Sequence, residues 1–179
     1  MNGLLALARL IDRVNDAFAR IAEVAVIASC FISAGNALVR YGLDISSNAW
    51  LEIQWYLFAA CVMLGAAQVL RVNEHVRVDV LYGRYPVKGK VYLDLAGLVF
   101  FLVPVMCAML WFSVPLLIRM YESQEMSGNA GGLIRWPAMA LLPLGFGLVL
   151  LQGLAEIIKR LGWLAGKVEM SMHYERPLQ

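Results

Sequence analysis

The chain has 179 residues, 61% of them hydrophobic and 16% charged, with a net charge of +2. Soluble domains average roughly 45–50% apolar and about 25% charged residues, so this balance, with a mean hydropathy of +0.68, points to an integral membrane protein. So small a net charge gives no argument for a nucleic-acid partner, which would need a concentrated basic face, and none is expected.

Residues 1–20 have the pattern of an amphipathic helix. Leu4, Leu7, Ile11, Val14, Phe18 and Ile21 recur at helical spacing, and Arg9, Asp12, Arg13, Asp16 and Arg20 take the other face. Such a helix either lies along the membrane surface or extends the first span. Four uncharged windows follow, Val24–Val39, Ile53–Leu70, Leu95–Ile118 and Trp136–Ala155. A hydrocarbon core of about 30 Å needs about 20 apolar helical residues, which places spans at about 21–39, 51–70, 93–118 and 136–158. Helices are expected because backbone groups must be satisfied internally in lipid and the runs lack the alternation of barrel strands. Arg9–Arg20 before the first run and Arg40 after it leave no small-residue cleavage site, so span one is expected to be retained.

Within the spans, Ala25, Ser29, Ser33 and Ala37 put a small residue at every fourth position of span one, a stripe suited to close helix packing. Span two opens behind Ser47 and Asn48, either of which is a candidate N-cap, and Glu52 complements that helix N-terminus. In span four Pro137 suits the first turn and Pro143 is expected to kink the helix. The loop Tyr121–Pro137 has turn chemistry at Ser127–Gly132, where Gly128, Gly131 and Gly132 are free to take positive φ.

Lysine and arginine set the topology. Segments 1–20, 71–90 and 159–179 hold three, five and four, against Arg40, Arg119 and Arg135 at the opposite ends. The positive-inside rule places both termini, the 71–90 loop and the tail 159–179 in the cytoplasm. The fold expected is an all-α integral membrane protein of four transmembrane helices with an N-terminal amphipathic helix, as one membrane domain.

Charged groups bound the function. Glu23, Asp94 and Glu156 fall near the cytoplasmic ends of spans one, three and four, and Glu52 near the periplasmic start of span two. Ionisable groups inside a membrane usually mark a transport path, and their placement at the ends argues against a self-sufficient carrier. Cys30, Cys61 and Cys107 fall inside spans and read as small apolar fillers. Membrane haem needs axial ligands within the helices, whereas the two histidines are His75 in a loop and His173 in the tail. The stretch "RVNEHVRVDV", 71–80, gathers Glu74, His75, Arg77 and Asp79. It reads as a polar corner between spans two and three; the alternative, a metal or acid–base site, is disfavoured by the lack of further ligands and of a nucleophile. No catalytic residue, metal or cofactor is expected.

"NAWLEIQWYLFAACVMLGAAQVLRVNEHVRVDVLYGRYP", residues 48–86, resembles the core signature of the small membrane subunit of tripartite ATP-independent periplasmic (TRAP) transporters, the DctQ-like family. The shared features are Trp50 and Glu52 opening span two, the Leu64–Ala67 run, a basic exit at Arg71 and the His75–Val80 segment. Where many members carry two adjacent acids, Ile53 follows Glu52 here. "SGNAGGLIRWPAMALLPLGFGLVLLQGLAEIIKR", residues 127–160, is similar to a subgroup that often accompanies binding proteins for 2-oxo acids and related carboxylates. The resemblance implies a non-enzymatic subunit in a bacterial inner membrane. It implies a periplasmic binding protein that delivers an organic acid, and a large multi-span permease that carries it with sodium by an elevator movement. The small subunit would then support the static scaffold. Partner contacts are expected at Trp50, Glu52 and Trp55, with Arg77 and Asp79 organising the cytoplasmic corner, and Arg71, Arg84, Lys88 and Lys90 meeting lipid headgroups. The alternative is a membrane anchor for a redox or other enzyme complex.

Overall fold

The computed structural model describes residues 2–45, 47–73, 82 and 84–167. Four long helices dominate them: α1 (Asn2–Leu43), α2 (Asn48–Val72), α3 (Val87–Ser123) and α4 (Trp136–Leu164), each long and apolar enough to cross a membrane. No strand occurs among the described residues beyond an isolated bridge between Met126 and Ile134. The four expected spans each lie within one of these helices.

The amphipathic segment is not a separate helix. Residues 2–20 and the first span form one unbroken 42-residue helix, about 60 Å long at 1.5 Å per residue. A surface helix would need a break in direction before the span. None occurs: Asp12, Asn15 and Asp16 are engaged inside the bundle against α2 and α4, while Arg9, Arg13 and Arg20 stay exposed. The segment therefore continues the helix of the first span.

α1, α2 and α4 pack on one another, and α3 packs along α4. The core of the first three is made of small and medium apolar residues: Ala22, Leu64, Ala67 and Leu148, flanked by Phe18, Ala60, Leu141 and Val149. Without a hydrophobic drive between helices in lipid, close backbone approach carries the packing. The small stripe expected on span one is displaced. Ala8, Asn15, Ala19, Ala22 and Ala25 are the buried residues of α1, whereas Ser33 and Ala37 are exposed. Helix contact thus concentrates in the first half of α1, where α4 also reaches.

Ala22 lies opposite Gly65 on antiparallel α2, 3.7 Å from where a Cβ would sit. Six residues along from each, Arg71 of α2 pairs with Asp16 of α1. The two helices therefore run in register over this stretch.

Prolines shape the other two helices. α3 contains a π-helical turn at Leu98–Leu102, closed by the Val103 N–H on the Leu98 carbonyl. Pro104 follows, and its ring crowds the carbonyl four residues back, so the wider turn takes up the extra room. α4 continues through Pro143 as a single helix. Cys30 and Cys107 are exposed rather than filling the interior, and Cys61 is half-buried.

Two glycines of α4 permit its contacts. A Cβ on Gly145 would stand 2.8 Å from the Met63 carbonyl oxygen, and one on Gly153 would stand 2.5 Å from a terminal methyl of Leu102. The first neighbour is backbone and the second a flexible side-chain end. Gly145→Ala should therefore destabilise the bundle by roughly 1–3 kcal/mol, and Gly153→Ala by much less. Thermal unfolding of the two variants in one detergent checks this order.

Candidate functional site

Polar side chains gather at two levels of the bundle. Glu52 and Arg71 mark them on α2, and the run between is uncharged. Their separation of roughly 19 residues corresponds to about 28 Å at helical rise, close to the thickness of a bilayer's hydrocarbon core.

At the first level the segment between α3 and α4 folds into a small hairpin over the start of α2. The Ser127 N–H donates to the Leu133 carbonyl at 2.9 Å, the Arg135 N–H to the Glu125 carbonyl at 3.0 Å, and the Gly132 N–H to the Asn129 carbonyl at 2.9 Å. Glu52, only 3% exposed, is the anchor. The Ser127 hydroxyl donates to its Oε1, as does Asn129 Nδ2 at 2.8 Å, and the Leu133 N–H donates to Oε2 at 2.6 Å. Asn48 Nδ2 donates to the Ala130 carbonyl at 2.9 Å, and the Tyr56 hydroxyl to the Ile134 carbonyl at 2.9 Å. The loop's backbone is thus tied to α2 by three side chains one helical turn apart. Tyr121 and Trp136, where the loop leaves α3 and enters α4, meet edge to face with ring centroids 5.3 Å apart.

The loop glycines have different roles from those expected. Gly131 takes a positive φ of 71°, whereas Gly128 and Gly132 do not. Gly132 is required for space, since a Cβ there would stand 2.6 Å from the Ser127 Cβ and 2.9 Å from Glu52 Oε1. Ser47 occupies the N-cap position of α2 without a side-chain capping bond; Glu52 spends its charge on the loop.

The second level holds a network across all four helices. Asn15 and Gln152 are fully buried, and Asn15 Nδ2 donates to Gln152 Oε1 at 2.6 Å. Gln152 Nε2 donates to Asp12 Oδ1 at 2.9 Å and Glu156 Oε1 at 3.1 Å, so a neutral amide bridges two carboxylates. Lys159 joins the same pair, 3.1 Å from Asp12 Oδ1 and in contact with Glu156. Arg160 lies between Glu156, four residues back, and Asp94 of α3, with its NH2 3.2 Å from Asp94 Oδ2. Asp94 also accepts from the Tyr82 hydroxyl at 3.2 Å. Arg71 of α2 pairs with Asp16 and donates to the Asp12 carbonyl at 3.2 Å. A mostly apolar groove of about 530 Å³ opens beside this network between the end of α2 and α3, with Asn73, Asp94 and Arg160 among its lining.

The residues singled out from sequence are distributed unevenly. Trp50 and Trp55 are exposed, at 49% and 65%, on the outside of α2, whereas Glu52 between them faces inward. Arg71 is engaged inside the network, Lys90 is half-buried with its Nζ 5.3 Å from the Tyr82 ring centroid, and Arg84 and Lys88 are exposed. Arg77, Asp79 and the rest of 74–81 lie outside the described residues, as does His173. Asp12, Asn15, Asp16, Lys159 and Arg160 were not singled out. A signal for them existed in the spacing of four that puts Gln152, Glu156 and Arg160 on one line of α4, matching Asp12 and Asp16 on α1.

Two outcomes follow from this geometry. Gly132→Ala should displace Ser127 from Glu52 and speed protease cleavage at 125–135 several-fold, with little change in global unfolding; limited proteolysis with a thermal melt separates the two. Arg160→Ala leaves Asp94 and Glu156 without their shared cation and should cost about 3 kcal/mol or more, whereas Arg84→Ala should leave the melting temperature unchanged.

A family model described as "Tripartite ATP-independent periplasmic transporters, DctQ component" matches residues 29–162. Comparison with curated proteins and with solved structures returned no match. The matched region runs from the middle of α1 to the end of α4 and takes in both polar levels except for the α1 residues Asp12, Asn15 and Asp16. DctQ components are the small permease subunits of these transporters, multi-pass proteins of the bacterial inner membrane that work with a large permease and a periplasmic binding protein. With four apolar helices and a family match over most of its length, the chain belongs to the DctQ components of the tripartite ATP-independent periplasmic transporters.

Proposed function

We propose that this chain is the static scaffold subunit of its transporter, holding the large permease in place while that permease moves the solute. The observation that carries the reading is the division of the bundle. Glu52 with the hairpin, and Asp12, Asp16, Asp94 and Glu156 with Arg71, Lys159 and Arg160, are engaged at two levels about one hydrocarbon thickness apart, and Ala22, Leu64, Ala67 and Leu148 fill the space between α1, α2 and α4. A bundle braced at both rims and packed through its middle is suited to resist movement rather than to open a path.

The substrate is an organic acid delivered by the periplasmic binding protein and carried with sodium by the large permease, as the resemblance of residues 127–160 implies. Both termini and the 71–90 loop face the cytoplasm, which the twelve-to-three division of lysine and arginine supports. The Glu52-anchored hairpin then lies on the periplasmic side, where Trp50 and Trp55 offer an aromatic contact for the large permease and Glu52 keeps the adjoining loop in shape. Arg84 and Lys88 reach anionic headgroups on the cytoplasmic face, and Arg77 and Asp79 organise that corner.

Reconstituted alone in vesicles, the chain should move no organic acid, while co-expression should yield a complex with the large permease; uptake by the isolated chain would overturn the scaffold role. Trp50→Ala with Trp55→Ala should lower the amount of large permease retained on affinity-tagged chain several-fold, with the melt of the isolated chain unchanged. Equal retention would remove the two tryptophans from the interface.

A further inference from the structure

Glu23 was expected near the cytoplasmic end of span one, and the packing places it deeper. Its neighbour Ala22 lies against Gly65 and belongs to the apolar core with Leu64, Ala67 and Leu148. Gly65 is well inside the uncharged run of α2, and Glu23 is seven residues beyond Asp16, which pairs with Arg71 at the rim. The carboxylate is therefore about 10 Å inside the level of that ion pair by helical rise.

Glu23 is exposed on the outside of α1, and no hydrogen bond or ion pair engages it among the described residues. Arg20, one turn toward the rim, is exposed and not paired with it. The same face continues with Ile27, Phe31 and Leu38, at steps of four and seven residues, exposed by 55%, 74% and 75%. A charge at this depth is costly against hydrocarbon and is normally found facing protein or water, paired. The chain's other carboxylates at the network level have cations of their own: Asp12 and Glu156 take Lys159, Asp16 takes Arg71, and Asp94 takes Arg160.

We propose that the Glu23–Ile27–Phe31–Leu38 face of α1 is covered by a transmembrane helix of the large permease that presents a lysine or arginine to Glu23. This deepens the scaffold reading and rests on it. The apolar residues supply the contact area, and the ion pair sets the depth and rotation of the docked helix. Buried interfacial charge pairs act in this way on register and partner choice. The complementarity sought is with a cation, which distinguishes this face from one facing acyl chains alone.

The test uses the complex of full-length chain and large permease, purified from co-expressing cells, with a photoreactive benzophenone side chain placed at position 27 or 31. Illumination should cross-link both positions to the large permease, through one helix that bears a basic residue. Glu23→Gln should lower retention of the permease several-fold and Glu23→Lys at least tenfold, without shifting the melt of the isolated chain, because Glu23 has no partner within it. An acidic replacement of the partner's basic residue should restore retention by Glu23→Lys. Cross-links only to lipid, or only to a second copy of this chain, with the complex intact, would overturn the proposal while leaving the scaffold role standing. Failure of the unmodified chain to retain any large permease would instead defeat the scaffold role itself.

Discussion

Polar groups turned toward the hydrocarbon core must find partners within the protein, because lipid offers them neither water nor counter-ion. The rest of this structure depends on that constraint. α2 sets the scale: Glu52 and Arg71 bound an uncharged run of about the length of a hydrocarbon core. At each bound the charged residue of α2 reaches into another element, Glu52 into the hairpin between α3 and α4, and Arg71 into the first turns of α1. The two rims are thereby cross-braced, and the middle is left to close packing of small side chains.

The braces differ in kind. At the hairpin rim one carboxylate accepts from a hydroxyl, an amide and a backbone N–H, so a loop is shaped around a single buried charge. At the other rim four carboxylates, Asp12, Asp16, Asp94 and Glu156, meet three cations, Arg71, Lys159 and Arg160, among the described residues. Gln152 separates two of those carboxylates while satisfying both. The most buried charged members of this network are Arg160 and Glu156, so removing either leaves the other buried without that partner, whereas the Arg71–Asp16 pair is about a third exposed.

Much of this was legible in the sequence, and the misses have identifiable causes. The spans follow from runs of uncharged residues, and the resemblance of residues 48–86 and 127–160 led to the family that the match over residues 29–162 shows. The role of Glu52 was half visible: its position at a helix N-terminus suggested dipole compensation, but its partners lie 75 to 81 residues away in a loop that folds back. The first 20 residues read either as a membrane-surface helix or as an extension of span one, because their polar face has no visible partner in a linear pattern. That partner is α4, whose Gln152, Lys159 and neighbours are about 140 residues distant. Glu23 reads as lying near the cytoplasmic end of span one, and the contact of Ala22 with Gly65 sets it seven residues beyond the Asp16–Arg71 pair.

The sequence by itself determined the class of protein, the number of long apolar helices and the family, because hydropathy and signature residues are properties of the chain read in order. Tertiary structure alone decided which charges are braces and which are surface. It turned Glu52 and Arg71 inward, left Trp50 and Trp55 outside, and left Glu23 exposed beside an apolar core. The physical reason is that a helix offers a charge several directions at the same sequence position, and only the neighbouring helices determine whether that direction holds a partner, a loop or open membrane.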